Sequence, residues 1–277
     1  MAKIGFIGMG NMGYAMMRGL LKVVDKADLI FADASAERVK KVYNETGVIF
    51  ADSNAECCAK SQIVVLAVKP QFYPQVLKNI ENIIKPNQIL ISIAPGYSIA
   101  RLKTALSDQI RIVRAMPNTP ALVGEGMTGI CYDEAKFSAE EVASLEMIFS
   151  TMGRFKKVNE NLMNAVTCAS GSSPAYVFMF IEALADGVVA CGMPRDMAYE
   201  FVAQTVLGSA KMVLDTKEHP GKLKDMVCSP AGTTIAGVEA LEENGMRNAL
   251  MKAVRACYAR YEEMNKSSQE TTTPWKK

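Results

Sequence analysis

One histidine and one tryptophan in 277 residues set the first limits on this chain. His219 stands alone, so any mechanism that needs two imidazoles is excluded. The seven cysteines are an odd number, scattered, with no C-x-x-C pair among them. Cys57 and Cys58 are neighbours and cannot easily bridge each other. This excludes a disulfide framework and a zinc site, and it fits a reducing cytoplasm. An excess of one charge is also missing. A net charge of +2 gives no reason to expect nucleic acid or a charged membrane as partner. No apolar run is read as approaching the ~20 residues that span a bilayer. The chain goes straight into a strand, with no signal-peptide pattern. The expectation is a cytoplasmic protein without a metal site.

The remaining composition is that of an ordinary globular protein, with 49% hydrophobic and 22% charged residues. Its length allows a large core and two domains. The most informative stretch is Lys3-Ile-Gly-Phe-Ile-Gly-Met-Gly-Asn-Met-Gly13. Ile4, Phe6 and Ile7 read as a short buried strand. Gly8, Gly10 and Gly13 follow at G-x-G-x-x-G spacing, and a helical pattern starts at once. Strand, glycine turn and helix start together form a pyrophosphate cradle. Gly8 permits the turn, Gly10 lets backbone approach a phosphate, and Gly13 allows close helix–strand packing. Unpaired N–H groups at the helix start then point at the anion. The alternative is a glycine-rich turn that binds nothing.

Strand and helix patterns alternate up to about residue 158. Strands are expected at 29–33, 48–50, 62–68, 89–93 and 110–114, with an edge strand at 126–131. Helices are expected at 36–45, 72–84 and 99–106. The continuous apolar run at 62–68 reads as a strand covered on both faces. Such alternation predicts an α/β, mostly parallel, doubly wound Rossmann-like domain over residues 1–159. Beyond it the pattern becomes helical, at 162–191, 197–215, 235–243 and 246–264. Residues 160–266 are therefore expected to form an all-helical domain, and 267–277 a disordered tail. Residues 164–193 are too apolar for a helix with one wet side. They are expected to pack against a second copy of the chain.

Several motifs fall where strands end. Asp33 lies about twenty positions after the last glycine, where an acidic residue holds the ribose hydroxyls of NADH. It could equally cap the helix beginning near Ser35. Arg38, Lys40 and Lys41 are nearby but on that helix. Ala67-Val-Lys-Pro70 closes its strand, and Lys69 there faces either the cofactor or only solvent. Ala94-Pro-Gly96 ends the next strand in the same way. Arg114-Ala-Met-Pro-Asn-Thr-Pro120 forms a rigid polar loop, suited to the nicotinamide or ribose. Ser173 and Pro174 read as a helix start. The segment Ser229-Pro-Ala-Gly-Thr-Thr234 suggests a turn into a helix. Its free N–H groups would hold a carboxylate, or it is simply a capped helix. His219 precedes Pro220-Gly221 in a loop and reads more readily as structural.

Taken in order, these residues resemble the pyrroline-5-carboxylate reductase family over almost the whole chain. The likeness is carried by Gly8-Met-Gly-Asn-Met-Gly13, Ala67-Val-Lys-Pro70, Arg114-Ala-Met-Pro-Asn-Thr-Pro120 and Ser170-Gly-Ser-Ser-Pro-Ala-Tyr-Val177. It continues in Glu182-Ala-Leu-Ala-Asp-Gly187, Ala203-Gln-Thr205, His219-Pro220, Lys224-Asp225 and Ser229-Pro-Ala-Gly-Thr-Thr-Ile235. The resemblance implies reduction of 1-pyrroline-5-carboxylate to L-proline with NADPH or NADH. It implies helical domains interlocked in a homodimer, often built into a decamer. It places the cofactor on Gly8, Gly10, Asn11, Met12 and Gly13, on Ala67, Val68, Lys69 and Pro70, and near Asn54. Asp33, Pro117 and Asn118 join that cofactor set from their positions at strand ends. By the same resemblance Ser229, Ala231, Gly232, Thr233 and Thr234 hold the substrate carboxylate. Thr234 hydrogen-bonds the ring nitrogen and is the expected catalytic residue.

The chain departs from the family at Ala231, where glycine is common, and at Asp33-Ala34, where many members carry a polar residue and an arginine. The second departure bears on the usual NADPH preference. The chemistry suits a chain poor in titratable groups. A cyclic imine accepts hydride readily, so the protein need only align the reactants and hold the acid group. A β-hydroxyacid dehydrogenase shares the two-domain plan but needs a lysine base in the interdomain helix, and 170–180 contains none. A nonenzymatic NAD(P) sensor would have no use for 229–234.

Overall fold

The computed structural model describes residues 3–270, with side chains described as far as Glu263. Residues 271–277 of the expected tail lie outside the described residues. The last helix runs through Glu270, so 267–270 are helical rather than tail.

The first compact unit comprises residues up to Ser172 together with the chain from Tyr258 onward. Its elements are β1 (Ile4–Ile7), α1 (Asn11–Leu20), β2 (Leu29–Ala32), α2 (Ala36–Thr46), α3 (Asn54–Ala59), β3 (Ile63–Leu66) and α4 (Tyr73–Ile80). There follow β4 (Ile89–Ser92), α5 (Ile99–Ala105), β5 (Arg111–Met116), β6 (Gly126–Cys131), α6 (Ala139–Ser150), β7 (Gly153–Lys157) and α7 (Met163–Val166). The seven strands lie in the order β2-β1-β3-β4-β5-β6-β7. The first five pair in parallel; β6 runs antiparallel to β5, and β7 parallel to β6. From β1 the chain moves outward to β2, then crosses back to β3 on the other side. The β1/β3 boundary is therefore the topological switch point, where ligands of such sheets bind.

Every residue of β1, β2, β3 and β4 is buried. One layer of core joins Phe6, Phe31 and Val65 to Met16, Met17 and Leu20 of α1 and Leu145 and Phe149 of α6. The other joins Ile7, Val64 and Leu90 to Tyr73 and Leu77 of α4 and Leu102 of α5. A strand with helices on both faces has no wet side, which is why these strands read as unbroken apolar runs.

Two strand expectations need correction. Residues 48–50 make only an isolated parallel bridge, Phe31 with Phe50. Residues 126–131 form an interior strand, because β7 lies outside them. That edge, Gly-Arg-Phe-Lys-Lys, is mostly exposed. Cationic side chains protect an open edge from pairing with other chains, and they also remove any hydrophobic signature.

The second unit, 173–257, is helical: α8 (Ser173–Ala190), α9 (Arg195–Thr216), α10 (Pro220–Val227), α11 (Thr233–Glu243) and the start of α12 (Met246–Glu270). Its buried core is small, centred on Ala185, Ala198 and Val202. Phe178, Met179 and Phe201 are each 60% or more exposed. The helical stretch 160–190 is long and apolar enough to cross a bilayer by length and composition. This corrects the expectation that no run approaches that length. The segment 163–190 is unbroken because a π-helical turn, Thr167–Ser172, joins α7 to α8. The helix start expected at Ser173-Pro174 is thus a point inside a longer helical run.

Helix α6 is tied to β5 by an ion pair. Arg111 Nη1 lies 2.6 and 2.7 Å from the two carboxylate oxygens of Glu141, which also closes a capping box with Ser138. Partial burial pushes Glu141 upward, but the Ser138 N–H and the Arg111 guanidinium outweigh it and hold the carboxyl below its ordinary range. A depressed carboxyl stabilises the fold above its unfolded pKa of about 4.3 and loses that contribution as pH falls through the folded value. Thermal melts of Glu141→Gln should therefore show a deficit against the parent that is constant above about pH 5 and shrinks below about pH 4. A deficit independent of pH would assign the loss to packing.

Candidate active site

The glycine turn is held by contacts that leave no room for side chains. Gly8 adopts φ 97°, in the left-handed region, and its N–H donates to Ala32 O at 2.8 Å. A Cβ there would lie 2.6 Å from Val68 Cγ1 and 2.9 Å from the Ala67 carbonyl carbon. A Cβ on Gly13 would collide with the carbonyl oxygen of Gly8 and approach Ala67 Cβ at 3.0 Å. At Gly10 the same atom would meet nothing within 4 Å. Two glycines are thus required by the protein, and the third leaves space open beyond its surface.

Helix α1 begins beside that space. Its N-cap is Gly10, with no side-chain cap, so the first-turn N–H groups of Asn11, Met12 and Gly13 lack intrahelical acceptors. Free donors, the positive end of the helix dipole and an open approach together fit a pyrophosphate. The structure brings Gly8 and Gly13 against Ala67 and Val68, where Ala67 N donates to Ile7 O at 2.8 Å, with Gly10, Asn11 and Met12 between them in the chain. Lys69 is exposed in extended backbone, and Pro70 opens a short 3-10 turn after it.

Asp33 is engaged by the protein itself. One carboxylate oxygen accepts from Met9 N at 2.6 Å and the other from Ser35 N at 2.9 Å. The helix cap proper is Ser35, which accepts from Arg38 N. Arg38 Nε donates to Met9 O, and its guanidinium lies 5.0 Å from the Tyr14 ring centroid. The Met9 peptide is therefore gripped at both ends. Arg38 and Tyr14 were not singled out as a loop brace in the sequence; only the proximity of Arg38 to Asp33 hinted at it. Asn54 opens α3, which Ser53 caps. The chain reaches it from Phe50, in parallel register with β2, so Asn54 follows the same sheet edge as Asp33.

Pro117 and Asn118 follow β5. The Asn118 amide is spent on a brace: Oδ1 accepts from Met127 N at 2.9 Å and Nδ2 donates to Ser170 O at 3.0 Å. The reason lies four residues beyond Ser170. An α-helical carbonyl at 170 would be satisfied by the N–H of residue 174, and Pro174 has none. The π-helical turn and the Asn118 amide together meet that deficit.

In the helical unit the 229–234 segment forms a turn into α11. Gly232 N donates to Ser229 O at 3.1 Å. Gly232 is the N-cap without a side-chain cap, so the first-turn N–H groups of Thr233 and Thr234 are free of intrahelical acceptors. A Cβ on Gly232 would collide with Ser229 Oγ. Ala231 takes φ 56°, a strained value for a residue with a side chain. Thr234 is half-buried, and Ser229, Ala231 and Thr233 are exposed. His219 is the N-cap of α10, its Nδ1 accepting from Gly221 N at 3.1 Å. Burial pushes the Cys57 thiol to about 12 and Cys58 to about 11, so neither is a nucleophile at neutral pH.

A doubly wound sheet with an uncapped glycine turn at its switch point, followed by a helical unit, defines the class of nicotinamide-dependent oxidoreductases. Residues 3–96 match a family model described as NADP oxidoreductase coenzyme F420-dependent. Residues 160–264 match one described as pyrroline-5-carboxylate reductase dimerisation. The chain is 45% identical over 267 residues to the pyrroline-5-carboxylate reductase of Escherichia coli, covering 96% of this chain and 99% of that one. It is 45% identical over 266 residues to the enzyme of the same name from Methanosarcina acetivorans, covering 95% and 98%. A crystal structure of the Plasmodium falciparum pyrroline carboxylate reductase with NADP bound superposes with a TM-score of 0.86 at 33% identity, covering 95% and 98%. The chain belongs to the pyrroline-5-carboxylate reductase family. Its cofactor is a nicotinamide dinucleotide, its substrate a small molecule, and it is oligomeric.

Two substitutions test this geometry. Asp33→Ala should raise the KM for NADH and NADPH alike, because it releases the Met9 amide; a loss confined to NADH would instead reveal direct ribose recognition. Ala231→Gly should relieve roughly 1 kcal/mol of backbone strain, read as a higher melting temperature with turnover retained. A fall in stability would contradict the strained assignment.

Proposed function

We propose that the chain reduces 1-pyrroline-5-carboxylate to L-proline, with NADPH or NADH as hydride donor, the final step of proline biosynthesis. The observation that carries this reading is the 45% identity over 96% of the chain, which takes in both the glycine turn and the 229–234 segment. In this reading residues 1–159 hold the dinucleotide and residues 160–266 the substrate and the contact between copies. The helical faces that expose Phe178, Met179 and Phe201 support association as a homodimer, with a decamer as the larger assembly. The apolar stretch 160–190 is covered by protein rather than lipid. Seven free cysteines support a cytoplasmic setting.

The bound cofactor supplies the hydride. The N–H groups of Asn11, Met12 and Gly13 hold its pyrophosphate, with Gly8 and Gly10 leaving the approach open. Asp33 and Asn54 face the adenosine half; Ala67, Val68, Lys69, Pro70, Pro117 and Asn118 line the nicotinamide half. Ser229, Ala231, Gly232 and Thr233 hold the substrate carboxylate on main-chain amides, which are uncharged donors aligned with the α11 dipole. The Thr234 hydroxyl hydrogen-bonds and orients the imine nitrogen, or relays to it a proton taken up from solvent water, so that the hydroxyl is restored. A protonated imine is the better hydride acceptor, so the step needs no strong base.

Thr234→Ala should lower kcat/KM toward the imine by about 100-fold, within the range of a lost proton donor, while the Kd for NADPH changes less than about twofold. Stopped-flow oxidation of NADPH by pyrroline-5-carboxylate and a cofactor titration measure the two quantities. Unchanged kinetics toward the imine would remove Thr234 from the site.

A further inference from the structure

Arg114 is the one charged residue buried among those described, at 4% exposure. Its Nη1 donates to Glu160 Oε1 at 3.1 Å and its Nη2 to the Tyr261 hydroxyl at 3.0 Å, while its buried Nε has no partner. Burying a guanidinium in this way costs stability that an apolar side chain would not. Its effect is to fix the Tyr261 hydroxyl, itself on a residue 6% exposed.

That hydroxyl accepts a second hydrogen bond, from Gly96 N at 2.8 Å. Gly96 ends the Ala94-Pro-Gly96 turn after β4, with φ 80°. The chain of contacts continues from there. Arg101 Nη1 donates to Gly96 O at 3.1 Å, the Arg101 guanidinium lies 4.0 Å from the Tyr97 ring centroid, and the Tyr97 hydroxyl donates to Pro70 O at 3.3 Å. Glu160 Oε1, already paired with Arg114, accepts from Ile99 N at 2.8 Å and so holds the start of α5. One hydroxyl on the last helix thus fixes the turn after β4 and, through two side chains, the turn after β3. Both turns lie at the carboxyl edge on the side of the sheet away from β2. The glycine cradle lies at β1 and touches Ala67 and Val68 of the turn after β3, but its other brace, Asp33 on Met9 N, follows β2 on the opposite side of β1.

We propose that Tyr261, anchored by Arg114, is a positioning residue for hydride transfer: it sets the two turns that support the nicotinamide half of the cofactor and leaves the adenosine half alone. The inference rests on the reductase reading above. Removing the hydroxyl leaves Gly96 N–H and Arg114 Nη2 without an acceptor, and the turn after β4 then relaxes. Near-attack geometry is sensitive to shifts of about 1 Å, which can cost on the order of 100-fold in rate.

The test uses Tyr261→Phe, which keeps the ring in place, and Arg114→Met, which keeps the stem of the side chain. Single-turnover oxidation of NADPH by pyrroline-5-carboxylate is compared with binding of 2′-phospho-ADP-ribose, which lacks the nicotinamide. Tyr261→Phe should slow hydride transfer at least about tenfold, with the Kd of the fragment within about twofold. The double variant should be no slower than Tyr261→Phe alone, since both changes break one latch. A parental rate in Tyr261→Phe overturns the proposal. So does a parallel loss of fragment affinity and melting temperature, which would mean general loosening of the fold. A parent that oxidises NADPH with no cyclic imine fails the reductase reading itself, and the latch with it.

Discussion

The structure depends first on a close approach of backbone to backbone. Gly8 and Gly13 bring the start of α1 against the end of β3, at a distance where Val68 and the Gly8 carbonyl would collide with any added carbon. That approach puts the first turn of α1 at the crossing point of the sheet, with its donors unsatisfied. Asp33 and Arg38 then secure the Met9 peptide from both sides. Binding of a dianionic pyrophosphate therefore needs no cationic side chain in the turn. In the proposed reading, preorganised amides meet that charge at no reorganisation cost.

The helical unit follows a different logic. Its own core is built from small residues, Ala185 and Ala198 with Val202, while the large apolar side chains of α8 and α9 face outward. Burying one such side chain is worth roughly 1.5–3 kcal/mol, so a surface of this kind is stabilised chiefly by association, in keeping with the family's dimerisation match over 160–264. The same inversion explains why 160–190 passes a composition test for a membrane span. Apolarity all round a helix reports burial, and a second copy of the chain can provide it as well as lipid can.

How far the sequence could be read follows from what each residue answers to. Strands β1 to β4 were legible because both faces are covered, which makes burial and sequence say the same thing. The turn at 8–13 was legible because steric need limits Gly8 and Gly13 to glycine, and Gly10 completes the spacing. Strand β7 was not, because an open edge selects Arg154, Lys156 and Lys157, which carry no apolar period. The π turn at 167–172 is hidden in a helical pattern; Pro174 does stand at the start of α8, and it also marks a carbonyl deprived of its donor. Asp33 showed where an acid stands but not that Met9 and Ser35 occupy it. Long-range hydrogen bonds such as those joining Gly96, Arg114 and Tyr261 have no local pattern, and only the folded chain displays them.

The central claim is that the open space over Gly10 belongs to the dinucleotide. Gly10 has ordinary backbone angles, φ −64° and ψ −170°, which any residue adopts, and an added Cβ would touch nothing in the protein. The decisive measurement is calorimetric titration of Gly10→Ala with NADPH, beside a thermal melt of the free protein. The account predicts an unchanged melting temperature and a loss of NADPH affinity of at least about 100-fold, as a methyl enters the pyrophosphate's place. Affinity equal to the parent's would contradict it.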